Sequence, residues 1–396
     1  MSESIVTFRL KPGHAKPLYA GHPWVFADAI DAVDGDPEAG DEVRVIDHRD
    51  QALGHGYYSP TSAIPIRLLT RGDEEAGEAL LEKRIDAAIL LRKDTLKLGG
   101  TETNAYRLIY GEGDGLGGLV ADVYNDILAV QIHSAGMDKR RDVILSLIQK
   151  RMPFRTILDR SDTRLRKLEG LEPAVIPDSL PEAFEVTENG IRYLLDFAGG
   201  AQKTGFFVDQ RENRRRFGEF AKGRDVLDLF AYSGAFALNA QRGGAKSLTL
   251  VDSSHPALEM ARVNLELNKI EDADLIESEW AEALRHLRTE NRLFDLVVID
   301  PPKFARAKKD IVSALAGYKD LNAQAVRMVR PGGIMFTCSC SGNVDFTEFE
   351  RSVAFGIAQA GRRATLLESR GAGPDHPVWP GFDQGRYLKC LILRVE

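Results

Sequence analysis

Cysteine is scarce in this chain: three in 396 residues, Cys338, Cys340 and Cys390. That number cannot build a disulfide framework, and no pair has the Cys-x-x-Cys spacing of a zinc site, so no metal is expected. No apolar run approaches the ~18–20 residues a membrane helix needs. The opening residues Met-Ser-Glu-Ser-Ile-Val-Thr-Phe-Arg-Leu have neither the basic start nor the apolar core of a signal peptide. Low-complexity tracts are missing too. These absences leave a cytoplasmic globular protein, and at roughly 100–200 residues per domain the length predicts two or three of them. A hydrophobic content of 43% is enough to give each a core.

The net charge of −7 argues against a uniformly basic nucleic-acid binder, but the charge is unevenly spread. Residues 139–167 hold ten Lys/Arg against three acids, and residues 203–224 hold seven against three. The stretches 31–42 and 73–82 contain no base at all. Such segregation can present a basic face to phosphates within an acidic protein, or it can be an ordinary solvated helix surface.

Taken in order, residues 1–72 read as a small β-rich module: short β-branched and aromatic segments such as Glu42–Asp47, Gln51–Tyr58 and Ile64–Leu69, split by Asp/Gly/Pro turns. Residues 73–182 form a middle α+β unit. It opens with a helical stripe over Ala79–Leu98, continues in strands on either side of the glycine-rich 111–118 turn, and adds a helix at Lys139–Arg151 and a strand at Thr156–Asp159. The 111–118 glycines are no phosphate loop, because Gly-Lys-Ser/Thr is missing and a strand follows where a helix is required. From residue 183 the pattern becomes a hairpin at Asn189-Gly190, then alternating strand and helix to the end. The expected strands are Val226–Phe230, Ser247–Val251, Leu275–Glu277, Phe294–Ile299, Ile334–Cys340, Ala364–Glu368 and Tyr387–Val395. The fold class is therefore α/β: a Rossmann-like, mostly parallel sheet preceded by a small β-barrel and a central α+β domain.

The organising stretch is Arg224–Phe236, a strand, a small-residue turn and a helix start. A dinucleotide site would carry Gly-x-Gly-x-x-Gly there, but the loop has one glycine, Gly234 after Ser233, and an acid, Asp228, at the strand end. A carboxylate at that point repels pyrophosphate and suits a cationic ligand with an amino-acid head. Asp252, 24 residues later, ends the second strand where an acid can bond a ribose diol. Glu279 follows the third strand, where it can accept from an adenine amino group, and Trp280 can pack on the ring. Together these fit S-adenosylmethionine (SAM) better than NAD.

The fourth strand delivers Asp300-Pro-Pro-Lys-Phe304, and the fifth delivers Thr-Cys338-Ser-Cys340-Ser-Gly342. Cytosine C5 is a poor nucleophile until a thiolate adds to C6, after which C5 is enamine-like and can take a methyl group. Either cysteine could supply that thiolate, or both could be buried strand residues. Asp300 could donate to cytosine N3 and also line the cofactor site, and Lys303 could lower the thiol pKa or contact phosphate.

At these residues the sequence resembles the bacterial 23S ribosomal RNA (cytosine-5) methyltransferase I type, a class I SAM-dependent family. The similarity spans nearly the whole chain, through His22-Pro-Trp-Val-Phe, Gln202-Lys-Thr-Gly-Phe-Phe-Val-Asp-Gln-Arg, Asp300-Pro-Pro-Lys-Phe, Ser339-Cys-Ser-Gly and Asp375-His-Pro-Val. It implies an N-terminal PUA module for RNA and a C-terminal methyltransferase domain. It also implies large-subunit ribosomal RNA as partner, with Lys203, Arg211 and Lys303 along the RNA, and it leaves room for a homodimer. By position Cys340 would be the nucleophile, although Cys338 stands where the family pattern has no cysteine. A guanine-N2 methyltransferase and a catalytically silent RNA-binding assembly protein are the alternatives.

Overall fold

The computed structural model describes residues 5–174, 180–197, 206–305 and 307–396. The chain forms two compact units. The first comprises Met1–Glu182, Gly200–Phe206 and Pro374–Gly385; the second comprises Ala183–Gly199, Phe207–Gly373 and Arg386–Glu396.

In the first unit, residues 7–68 supply a curled six-stranded sheet whose core is Phe8, Leu10, Val25, Val43, Val45 and Ile66. A four-stranded sheet follows, with strands Ala105–Tyr110, Leu119–Tyr124, Ile127–Ile132 and Thr156–Asp159. It packs against the helix Glu78–Leu90, which buries Leu81, Ile85 and Ala88 at helical spacing. The helix expected to run to Leu98 instead widens into a π turn at Leu91–Thr95, where Arg92 is buried. The buried Arg92 guanidinium donates to Asp114 Oδ1 and Oδ2 at 2.5 and 2.8 Å and to the Asp375 carbonyl at 2.7 Å. Asp375 Oδ2 in turn accepts from the Arg107 amide at 3.0 Å. The Asp375-His-Pro-Val segment is thus a structural strap of the first unit.

At least half of the ten basic residues at 139–167 are ion-paired inside this unit. Arg141 pairs with Asp138 and Asp159, Arg151 with Glu82 and Asp86, Arg155 with Asp126, Arg166 with Asp138 and Lys139 with Asp41. Arg140 lies 3.7 Å from the Tyr57 ring centre. Of the acidic partners, Asp41, Glu82, Asp86 and Asp126 come from distant parts of the chain, while Asp138 and Asp159 are local. Among the described residues no helix is long and apolar enough to cross a membrane.

The second unit opens with the hairpin Phe184–Glu188 and Ile191–Leu195, turned at Asn189 and Gly190, both with positive φ as a two-residue hairpin turn requires. Its sheet has seven strands: β1 (Asp225–Leu229), β2 (Ser247–Asp252), β3 (Asp274–Glu277), β4 (Phe294–Ile299), β5 (Val329–Ser339), β6 (Ala364–Arg370) and β7 (Lys389–Val395). They run in the order β3-β2-β1-β4-β5-β7-β6, parallel except that β7 is antiparallel to both β5 and β6. The helices are α1 (Arg211–Glu219), α2 (Ala235–Arg242), α3 (His255–Leu267), α4 (Trp280–Thr289), α5 (Ile311–Ala325) and α6 (Phe346–Gln359). One sheet face (Leu227, Leu229, Val297, Ile299, Met335, Leu391) packs on α4, α5 and α6. On the other, Phe217 of α1 and Phe236 of α2 meet edge-to-face, and Phe217 meets Phe336 of β5 the same way. The expected fifth strand from Ile334 starts earlier, at Val329, and Pro331-Gly332-Gly333 lies in a break of register within β5: Phe294 pairs with Val329 and Leu296 with Ile334. Helix α1 gave no clear sequence pattern, since buried Arg211, Asn213 and Arg214 break its apolar stripe.

Candidate active site

The carboxyl ends of β1, β2, β4 and β5 collect the chemistry, as a doubly wound sheet dictates. The pairing register aligns them: Leu229 lies opposite Val251 and Ile299, and Ile299 lies opposite Thr337. Asp228, Asp252, Asp300 and Cys340 therefore all fall near one sheet edge.

The β1–α2 loop is tightly wound. Phe230 (φ 63°), Tyr232 (φ 49°) and Gly234 (φ 76°) are all left-handed, an uncommon density for a five-residue loop. At Gly234 a Cβ would meet the Ala261 Cβ and a Leu250 methyl carbon at 3.2 Å, so both conformation and space call for glycine. The loop is pinned by Ala231 N–H to Val251 O at 3.0 Å and by Tyr232 N–H to Asp252 Oδ2 at 2.9 Å. The Ser233 carbonyl accepts from Asn264 Nδ2 at 3.1 Å.

Asp228 is 1% exposed, and its Oδ2 accepts from the Ala237 amide in the first turn of α2 at 3.1 Å. Burial first, helped by the nearby Asp300 and Asp252 charges and opposed by the Ala237 hydrogen bond and the Arg214 charge, pushes its carboxyl up to about 8. A buried carboxyl repelled by two others is a seat for a cation, which fits the sulfonium and ammonium of SAM. Asp252 takes Tyr232 N–H on one oxygen and Ser254 N–H on the other, and stays half-buried. Glu279 is exposed at the N-terminus of α4 with no capping bond, so its carboxylate remains available for an adenine amino group. Trp280 is half-buried against the core beside α4, so only part of the ring is open to a cofactor.

Asp300 follows β4 directly, and its amide reaches the Leu229 carbonyl at 3.4 Å. Pro301 is buried, while Pro302 and Lys303 are exposed. The two cysteines of β5 differ sharply. Cys338 is fully buried, and burial together with the facing Cys390 thiol pushes its thiol well above the usual range. Cys340 lies just past the strand, half-buried, with Sγ 4.0 Å from the Pro301 carbonyl oxygen. The strand ends between the two positions.

Several residues of this edge have no role assigned from the sequence. Tyr318 of α5 stacks on Phe304 at 4.7 Å. Its hydroxyl accepts from Ser339 Oγ at 2.9 Å and lies 3.0 Å from Ser341 Oγ, so it braces the residues on both sides of Cys340. Ser341 Oγ also accepts from the Ala305 amide at 3.2 Å, tying the β5 end to the Asp300-Pro-Pro loop. Lys389, buried at the start of β7, donates to the Ser341 and Val344 carbonyls of the same turn and to the Tyr387 carbonyl.

Two of the expected RNA contacts fare differently from Lys303. Lys203 lies outside the described residues. Arg211 is 1% exposed and bonds Glu212 Oε1 at 3.1 Å. That burial makes it a structural side chain of α1 rather than a surface for phosphate. Its neighbour Arg214 is likewise buried, bidentate to Glu188 at 2.7 and 2.6 Å. Among the described residues no cluster of His, Cys, Asp or Glu could hold a metal ion.

Comparison with known proteins bears directly on this geometry. Residues 8–71 match the PUA-like domain family, and residues 174–394 match the S-adenosylmethionine-dependent methyltransferase family. "Ribosomal RNA large subunit methyltransferase I" of Pseudoalteromonas atlantica is 38% identical over 391 residues, covering 98% of each chain. The protein of the same name from Shewanella denitrificans is 40% identical over 397 residues, covering 98% of this chain and 99% of the relative. A methyltransferase solved with SAH bound shares the fold, with a TM-score of 0.84, 23% identity and coverage of 98% of this chain and 100% of that one. A SAM-dependent methyltransferase from Streptococcus mutans has a TM-score of 0.81 at 21% identity, covering 98% of this chain and 100% of that one. Matches of this identity over 98% of the chain, with both domain families in place, show that the chain belongs to the ribosomal RNA large subunit methyltransferase I family, SAM-dependent methyltransferases with a PUA-like N-terminal domain.

Proposed function

We propose that this protein transfers a methyl group from SAM to C5 of a cytosine in large-subunit ribosomal RNA. The RNA substrate is supported by the shared name of relatives that match end to end. The choice of cytosine C5 rests on the chain's own residues, and one observation carries it: the half-buried Cys340 thiol beside the Asp300-Pro-Pro loop, 4.0 Å from the Pro301 carbonyl.

Bound SAM would supply the electrophilic methyl group, and Asp228 would be among the residues that hold it. The residues of the chain do the rest. The Cys340 thiolate adds to cytosine C6, forming the S–C6 bond and leaving C5 electron-rich. Asp300 donates to N3 and so stabilises the adduct, with Lys303 next to the base or its phosphate. After methyl transfer a base removes the C5 proton, the C5–C6 double bond re-forms, and the S–C6 bond breaks to release Cys340. A paired cytosine must first leave its helix, or be met before the RNA folds. Asp252, Ser233, Gly234, Glu279, Trp280 and Asp300 would hold the cofactor.

In this reading residues 1–72 are the PUA-like RNA-binding domain, 73–182 the central domain and 183–396 the transferase. Mass mapping of ribosomal RNA from a strain lacking the protein tests it: loss of a 5-methylcytosine is expected. Loss of a methylguanine would favour amine methylation, for which Asp300-Pro-Pro could seat the amino group without a thiol.

A further inference from the structure

Lys389 begins β7 as the register partner of Ser339, with Cys338 and Cys390 paired one step along and facing the opposite side of the sheet. It is 1% exposed, in a strand whose next four residues are Cys390, Leu391, Ile392 and Leu393. The ammonium donates to the carbonyls of Ser341 at 2.8 Å, Val344 at 2.7 Å and Tyr387 at 2.9 Å. All three of its N–H groups are therefore spent on backbone oxygens. Among the described residues it forms no ion pair with a carboxylate.

A buried ammonium neutralised only by carbonyl dipoles is expensive to maintain, and an apolar residue would serve a purely structural strand position better. Two of the three carbonyls belong to the four residues that follow Cys340 and lead into α6. Cys340, Asp345, Glu348 and Lys303 are the ionisable groups that act on this ammonium. Burial pushes Lys389 down to about 8, and Cys340 is the foremost charge holding it up. Electrostatic coupling is reciprocal: whatever the thiolate contributes to the ammonium, the ammonium contributes to the thiolate.

We propose that Lys389 is a positioning residue for Cys340: by tying down the Ser341 and Val344 carbonyls it fixes the turn that carries the thiol, and its buried positive charge favours the thiolate. The catalytic meaning of this rests on Cys340 being the nucleophile. The coupling itself can be read without any turnover.

The test is the pH profile of Cys340 alkylation by iodoacetamide in the full chain, followed by peptide mass mapping so that the buried Cys338 and Cys390 are scored separately. Lys389→Gln keeps two N–H donors and removes the charge. Its Cys340 profile should move to higher pH, with alkylation near neutrality slower by about ten-fold. A folded Lys389→Gln protein with the wild-type profile overturns the proposal. The reciprocal measurement does not depend on a Lys389 variant folding. The Lys389 ammonium, followed by NMR of 13C-labelled lysine, should titrate at lower pH in Cys340→Ala than in wild type; equal titration also overturns it. The two readings fail separately. Full methylation by Cys340→Ala removes the nucleophile assignment whatever the titrations show, whereas an inactive Cys340→Ala with uncoupled titrations removes only the role of Lys389.

Discussion

Cys338 and Cys390 face one another across β5 and β7 as register partners, both fully buried. This pairing separates two cysteines that are only two residues apart in the chain. Cys338 is core packing on the face lined by Phe336, and its thiol is held protonated by burial. Cys338→Ala should therefore retain methylation and lose about 1–2 kcal/mol of stability, the scale of a small core truncation. Single-turnover methylation and thermal melting of that variant check both halves. Loss of activity with an intact fold would move the nucleophile to Cys338.

Asp228 predicts a pH signature. Its folded carboxyl titrates near 8, far above an unfolded aspartate, because burial opposes the charge. Between those two values the folded protein holds a proton that the unfolded chain has lost. The contribution is stabilising at acid pH and is lost as pH rises through about 8. Asp228→Asn removes that dependence, so its SAM-free form should melt above wild type at pH 9 and its Tm should vary less with pH. The cationic cofactor needs the ionised acid, so wild-type SAM affinity should rise toward pH 8, and Asp228→Asn should bind weakly throughout. Calorimetric titrations at pH 6 and 8.5 read this; pH-independent SAM affinity in the wild type would contradict it.

Gly234→Ala should weaken SAM binding and cost about 1–3 kcal/mol, since alanine must adopt φ 76° while its Cβ presses on Leu250 and Ala261. A thermal-shift titration with SAM measures both effects at once. Wild-type affinity in this variant would mean that the loop relaxes freely, against the account of its winding.

Arg92 makes a prediction for the first unit alone. Replacing it with Met leaves Asp114 buried without its ionic partner and removes a donor from the Asp375 carbonyl, at a cost of about 3–5 kcal/mol. Hydrogen exchange in the strand Ala105–Tyr110 should speed up markedly, and unchanged protection there would mean the strap is dispensable.

Much of the transferase sheet is legible in the sequence because its residues obey local rules. Val226, Leu227 and Leu229 form a short apolar run, Asp228 and Asp252 stand at strand ends, and Pro301-Pro302 fixes the residue after β4. What was not legible depends on partners far along the chain. The basic residues at 139–167 can be read as a basic face because Asp41, Glu82, Asp86 and Asp126, which pair with Lys139, Arg151 and Arg155, lie elsewhere. Arg211 reads as a phosphate ligand until α1 turns it inward. Lys389 in an apolar strand reads as one outward-facing polar residue, and only the fold brings three carbonyls onto its ammonium. The choice between Cys338 and Cys340 needed the end of β5, which periodicity does not fix to a residue.

The most direct test of the central claim is nucleoside mass analysis of large-subunit ribosomal RNA, taken from a strain lacking the protein and incubated with SAM and either wild type or Cys340→Ala. The account predicts 5-methylcytosine with wild type and none with Cys340→Ala, although that variant still binds SAM. A product methylated on guanine, or full 5-methylcytosine formation by Cys340→Ala, would contradict it.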